Sequence, residues 1–186
     1  AAEAEADLAR LAGTGIAVTP YTGEELLKRG LVLLDRRSYN EAASTLSAIP
    51  PESLPEQLRG RHAFKTAMAL YRAKRNREAE EAFARLSSPQ SPYPEYAVEA
   101  AYWHACVLDR NGRDRDAEAA FLKLAENSPG SDLADDALFQ AAMIRKNAGE
   151  RREAMALFRR LATDYPSSSH LPRALWEVAW SLYLSG

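Results

Sequence analysis

Four segments of the chain can be laid over one another, and the spacing between them restricts the fold more than any other feature. YNEAASTLSAI, NREAEEAFARL, DRDAEAAFLKL and RREAMALFRRL carry central alanines at Ala42, Ala79, Ala117 and Ala154, separated by 37, 38 and 37 residues. Four residues beyond each stands Leu46, Phe83, Phe121 or Phe158, and three further on Ile49, Leu86, Leu124 or Leu161. Apolar positions at 0, +4 and +7 form one stripe of an α-helix. A second series runs twelve residues ahead of the first, through Gly30, Ala67, Ala105 and Ala142, and its next step lands on Ala179. Gly112, Gly149 and Gly186 each lie seven residues beyond a member of that series. Glycine there tolerates the left-handed conformation that ends one helix before the next begins. Pro50, Pro51, Pro89, Pro92, Pro94, Pro129 and Pro166 fall between the helix pairs, where a residue without an N–H does no damage.

The physical reading is a series of helix hairpins. Small residues such as Ala142 and Ala154 let the two backbones approach, and the aromatic of the second helix, such as Phe158, fills the gap toward the next hairpin. One hairpin cannot bury its apolar face alone, so stability comes from stacking on neighbours. The expected fold is therefore all-α, an α-α superhelix of 37–38-residue hairpins forming a single solenoid over residues 1–186. Its hairpins are expected over residues 24–50, 58–88, 94–128 and 132–166, with the first helix of a further repeat over 170–186. Residues 1–12 are expected to form the end of a preceding helix, and the chain is expected to be a piece of a longer protein.

Composition agrees and excludes several classes. Alanine (35) and leucine (23) make up 58 of the 186 residues, whereas valine and isoleucine total eight, too few to fill the faces of a sheet. A net charge of −2 gives no basic excess for a phosphate backbone, so no nucleic-acid partner is expected. No stretch approaches the roughly 18 apolar residues that cross a bilayer, so membrane insertion is not expected. The lone Cys106 excludes an intrachain disulfide and any multi-cysteine metal site.

The ruler of small residue, alanine, aromatic and proline resembles the tetratricopeptide repeat family, with a unit longer than the usual 34 residues. The surplus falls in linkers such as NSPGSDLADDA and DYPSSSHLPRA. The Tyr-Pro-x-Ser linker from Tyr165 to Ser168 is similar to those of bacterial envelope members. The run ALWEVAWSLYLSG from Ala174, and TGEELLKRGLVLLDRRSYNEA from Thr22, resemble the helical region that precedes the catalytic domain of soluble lytic transglycosylases. That resemblance implies a non-catalytic scaffold or binding segment of a periplasmic, peptidoglycan-processing protein. The alternative is an interaction adaptor of the bacterial envelope with no enzymatic domain, and a cytoplasmic scaffold is a third reading.

The residues show no chemistry of their own. The transglycosylase resemblance implies a glutamate, usually followed by serine, as general acid/base, but Glu52-Ser53 sits in the proline-flanked linker IPPESLPEQ and lacks the motif expected downstream. No catalytic residue, cofactor or metal site is assigned. His62, His104 and His170 lack the i, i+4 pairing of a helical zinc site and read as surface or helix-flanking residues. Cys106 reads as a buried, inert thiol. The GTG at residues 13–15 follows a helix instead of a strand and is a linker.

Binding is a different matter. Three residues before each member of the small series come Leu27, Phe64, Tyr102, Phe139 and Trp176, and Tyr71, Trp180 and Tyr183 lie on the same helices. In the tetratricopeptide family this position looks into the concave groove. The resemblance thus implies Phe64, Tyr71, Tyr102, Phe139, Trp176, Trp180 and Tyr183 as contacts for an extended peptide, a protein partner or peptidoglycan glycan strands. Rings at helical spacing also serve to pack successive first helices together, and the sequence leaves both readings open. Aromatics where co-chaperone repeats carry asparagine and lysine argue against a carboxylate clamp.

Overall fold

The computed structural model describes Arg10 and residues 21–185. The expected helix over 1–12, the GTG linker and Gly186 lie outside these, apart from Arg10. Among the described residues all regular structure is helical. The sequence reading takes residues 1–186 as one solenoid, whereas the chain divides into two compact units, Ala1–Arg75 and Asn76–Gly186.

The first unit contains α1 (Gly23–Asp35), α2 (Tyr39–Ser47) and α3 (Glu56–Arg72). Thr22 starts α1 with a capping box: its hydroxyl accepts from the Glu25 N–H at 3.3 Å, and the Glu25 carboxylate accepts from the Thr22 N–H at 2.8 Å. Those hydrogen bonds from Thr22 hold the Glu25 carboxyl below its ordinary range. Within the hairpin, Gly30 lies so close to α2 that a Cβ placed there would stand 2.4 Å from Cδ2 of buried Leu46. Leu46 occupies the position held by phenylalanine in later hairpins, and its branched end fills the space beside Gly30.

The second unit contains α4 (Asn76–Leu86), α5 (Ala97–Arg110), α6 (Asp114–Asn127), α7 (Ala134–Asn147), α8 (Arg151–Asp164) and α9 (Leu171–Ser185), each packed on the next in chain order. Ala105, Ala117, Phe121 and Leu124 belong to one buried cluster, and Ala142, Ala154, Phe158 and Leu161 to the following one. Leu122 and Leu157 touch both, so the layers share a continuous core. Across both units every residue of the 0, +4, +7 stripe, from Ala42 to Leu161, is buried.

Four turns of three residues end α1, α3, α5 and α7 in the same way. Arg37, Lys74, Gly112 and Gly149 adopt φ of 61°, 61°, 73° and 79°. The N–H of the following residue reaches back five residues in each case: Ser38 to the Leu33 carbonyl at 2.9 Å, Arg75 to Leu70 at 2.9 Å, Arg113 to Leu108 at 3.0 Å and Glu150 to Arg145 at 3.0 Å. With the tighter bonds Arg37 to Leu34, Lys74 to Tyr71, Gly112 to Asp109 and Gly149 to Lys146, these are Schellman motifs, which satisfy carbonyls that the helix end leaves orphaned.

The longer connections also repeat. Ser131 and Ser168 lie 37 residues apart. Their hydroxyls accept from the N–H groups of Leu133 at 3.2 Å and His170 at 3.1 Å, turning the chain into α7 and α9. The serine of the Tyr165–Ser168 linker is thus a turn-former.

Candidate binding surface

The aromatic ladder proves graded. Phe64 and Tyr71 on α3 are 2% and 8% exposed, so they lie in the core and offer no ring to a ligand. Tyr102 on α5 is partly buried, edge-on to Phe121 with centroids 5.5 Å apart. Burial, chiefly, raises its phenol well above the ordinary value. Phe139 on α7 tilts against Phe158 at 5.8 Å, and its outer face is covered by His170, stacked at 4.2 Å with planes 9° apart. His170 is held there by a hydrogen bond between its Nε2 and the Asp136 carboxylate.

On α9 the same series comes into the open. Trp176, Trp180 and Tyr183 are 50%, 46% and 75% exposed. Trp176 and Trp180 stack with centroids 5.8 Å apart and planes 8° apart, and Trp180 stacks on Tyr183 at 5.5 Å. The guanidinium of Arg173 lies over the Trp176 ring at 4.8 Å, a cation–π contact. Leu175, Leu182 and Leu184 are also about half exposed, and Ala179 is exposed. Leu175, Leu182 and Leu184 were not among the sequence candidates. Their signal is that α9 is apolar around its circumference, a pattern that belongs to a helix with neighbours on every side.

What orients α9 is polar. Glu177, buried on its inner face, accepts from Lys146 on α7 at 2.6 Å and from Arg173 at 2.7 Å. Beside this pair Ala154, Met155 and Phe158 of α8 and Trp180, Ser181 and Leu184 of α9 line a groove whose rim carries Lys146 and Arg151. Arg151 is exposed and pairs with no carboxylate among the described residues. In the two preceding layers the residue after the central alanine is acidic, whereas Ala42 is followed by Ala43. Glu80 accepts from Arg113 at 2.6 Å, and Glu118 pairs with Arg145. After Ala154, Met155 replaces the acid and lines the groove with an apolar side chain.

The other sequence candidates are structural in their surroundings. His62 is not at the surface: it is buried, and its Nε2 lies 2.8 Å from the Leu46 carbonyl in the last turn of α2. It stands five residues before Ala67, where the later repeats carry Ala100, Ala137 and Ala174. His104 is half-buried, and burial lowers its pKa against the opposing pull of Glu80. Cys106 is also only partly buried, yet desolvation pushes its thiol up to about 12. Glu52 is exposed on a single 3₁₀ turn, Pro51–Ser53. No cluster of potential metal ligands occurs among the described residues, and none of their helices is long and apolar enough to cross a membrane.

Comparison with known proteins agrees with this geometry. A sequence profile described as "Tetratricopeptide repeat" matches residues 136–168, the span of α7, α8 and the linker into α9. Among curated proteins none matches. A solved structure described as "MamA RS-1 ArsTM double mutant" is similar to the chain with a TM-score of 0.62 and 12% identity, covering 90% of this chain and 97% of that one. The fold is an all-α, tetratricopeptide-like helical repeat.

Proposed function

We propose that the protein is a non-catalytic repeat scaffold that binds a protein partner through the exposed face of α9. The observation that carries this reading is the stack of Trp176, Trp180 and Tyr183, held open on a helix that the Lys146–Glu177 pair fixes in place. Rigid rings already ordered against one another lose little freedom on binding, and aromatics of this kind anchor interfaces. Residues elsewhere in the ladder are spent on packing.

The finer reading places this scaffold in a periplasmic, peptidoglycan-processing protein of lytic transglycosylase type. Its support is the resemblance of the Tyr165–Ser168 linker and of ALWEVAWSLYLSG to such proteins, together with flat ring faces that suit sugars. An envelope adaptor without an enzyme rests on the same surface. A photo-crosslinking residue at position 183, in the cells that make the protein, tests both. Adducts destroyed by protease support the protein-binding scaffold, and adducts released by a muramidase support the glycan-strand reading. Absence of any adduct from this face overturns the assignment of the site.

A further inference from the structure

One gap in the second unit departs from the packing that the repeat achieves a layer later. Between α4 and α6, over α5, lies an open cleft of about 450 Å³ walled by Ala84, Ala97, Val98, Ala101, Ala120 and Leu124. The ruler assigns counterparts to four of its lining residues. Ala84, five beyond Ala79, corresponds to Leu122, five beyond Ala117, while Ala101, Ala120 and Ser128 correspond to Leu138, Leu157 and Tyr165, each 37 residues on. Leu138 is fully buried, and Leu122, Leu157 and Tyr165 pack against its cluster. Three leucines and a phenol therefore fill between α6, α7 and α8 the space that alanines and a serine leave between α4, α5 and α6. Only His104, set against Ala141, is appreciably larger than its counterpart. All three helices around the cleft are present, so no continuation of the repeat belongs in it.

The polar groups narrow the occupant. No carboxylate lines the cleft, and Lys123 of α6 stands at its edge, exposed and in no ion pair among the described residues. Ala97 and Val98, the first residues of α5, line it too, and no side chain caps that helix. The positive end of the α5 dipole and the Lys123 ammonium both favour negative charge. An apolar wall with one cation and a few neutral polar groups, Asn127 and Ser128 among them, is the composition of a small-molecule site.

We propose that the cleft takes a free single-chain carboxylate, an aliphatic acid of about ten carbons. Its chain lies over Ala101, Ala120 and Leu124 in place of the absent leucines, and its head group meets Lys123 and the start of α5. The side chains missing relative to the next layer amount to about fifteen carbon atoms, which sets the upper size of the guest. This site is separate from the α9 surface and does not depend on it.

The intact chain is titrated calorimetrically with hexanoate, octanoate and decanoate below their micelle concentrations, and with decyltrimethylammonium as the cation of equal chain length. The carboxylates are expected to bind saturably, one per chain, tightening by up to about fourfold for each added methylene. The double variant Ala101→Leu/Ala120→Leu restores the side chains that the next layer carries at these positions. It is expected to weaken decanoate by about tenfold or more, while helical circular dichroism is kept and the melting midpoint is no lower than the parent's. Lys123→Glu, at an exposed position, is expected to weaken decanoate several-fold and to leave decyltrimethylammonium no weaker. Decanoate binding that survives the two leucines overturns the proposal, as does equal binding of the cation or no saturable binding of any carboxylate. Loss of helix during the titration marks detergent action and also overturns it. So does a dimer in sedimentation without decanoate that the two leucines dissolve, which assigns the cleft to a second copy. Should the leucines cost the fold, Lys123→Glu decides alone, and decanoate affinity unchanged by it overturns the site.

Discussion

Lys146 on α7 donates to the buried carboxylate of Glu177 on α9 at 2.6 Å, bridging 31 residues of chain and two consecutive first helices. Arg173, one turn before Glu177, supplies a second cation at 2.7 Å. Removing Lys146 leaves a buried acid with half of its compensation. Full isolation of a buried charge costs about 3–5 kcal/mol. Here the remaining Arg173 and the partial exposure of Lys146 reduce the loss, and Lys146→Met is expected to cost about 1–2 kcal/mol. The double variant Lys146→Met/Glu177→Leu removes the orphaned charge and recovers most of it. Urea unfolding of the three proteins checks this, and a double variant no more stable than the single one contradicts it.

The left-handed turn residues give a prediction of the opposite sign. Lys74 and Arg37 hold φ near 61° in the same hydrogen-bonded frame as Gly112 and Gly149. An L-residue pays about 1–2 kcal/mol for that conformation, part of which glycine gives back through its freer unfolded chain. Lys74→Gly and Arg37→Gly should each stabilise by about 0.5–1 kcal/mol, and Gly149→Ala should destabilise by about 1 kcal/mol. Chemical denaturation midpoints at constant m-value measure all three.

These turns also show which parts of the molecule could be read in advance. Gly112 and Gly149 announce the turn because glycine is the residue the conformation favours. Lys74 and Arg37 carry no such signal, since their φ is imposed by the Schellman hydrogen bonds and not by their side chains. His62 escaped for a related reason: a polar residue at a position that is alanine in later repeats reads as surface until the Leu46 carbonyl is seen to satisfy it. The 0, +4, +7 stripe was legible throughout because burial of a periodic face is a property of the helix itself. The ladder was legible as a series but not as a surface. Phe64, Phe139 and Trp176 share a ruler position, yet whether each is covered depends on neighbouring helices, as His170 covers Phe139.

The half-buried imidazole of His104 makes stability depend on pH. Desolvation is the largest influence on His104 and lowers its pKa, opposed by Glu80 and reinforced by Arg113. The unfolded chain therefore takes up this proton at a higher pH than the folded one, near the ordinary value of about 6.5. The contribution of His104 to stability is present above that pH and is lost as pH falls below it. His104→Gln should flatten the decline between about pH 7 and pH 5 relative to the parent. Denaturation midpoints across that range give the comparison, and parallel curves would remove His104 from the explanation.

Cys106 should be a poor nucleophile. Burial and the nearby Asp109 carboxylate push its thiol up to about 12, although the Tyr102 hydroxyl pulls it down. At pH 8 the folded protein therefore holds almost no thiolate, and the thiolate is the reactive form. Alkylation by iodoacetamide at pH 8 should be at least about tenfold slower in the folded chain than in urea, where the ordinary value of about 8.5 returns. Equal rates would show that the thiol is neither desolvated nor shielded.

The repeat register itself is open to a paired test at Ala142 and Ala179. Both residues fall at the small-residue position, but only Ala142 has a second helix packed on it. Ala142→Leu forces three extra carbons between α7 and the Ala154–Phe158 stripe, and overpacking of that kind costs about 1–3 kcal/mol. Ala179→Leu places the same carbons in solvent on α9, so its effect on unfolding should stay within about 0.5 kcal/mol. Thermal and urea unfolding of the two variants provide the measurement. The contrast depends on cover and not on helix propensity, since alanine to leucine is nearly neutral within a helix. Equal losses at both positions would mean that α9 is already covered on this face, and negligible losses at both would mean that Ala142 is not where α7 and α8 make their closest approach.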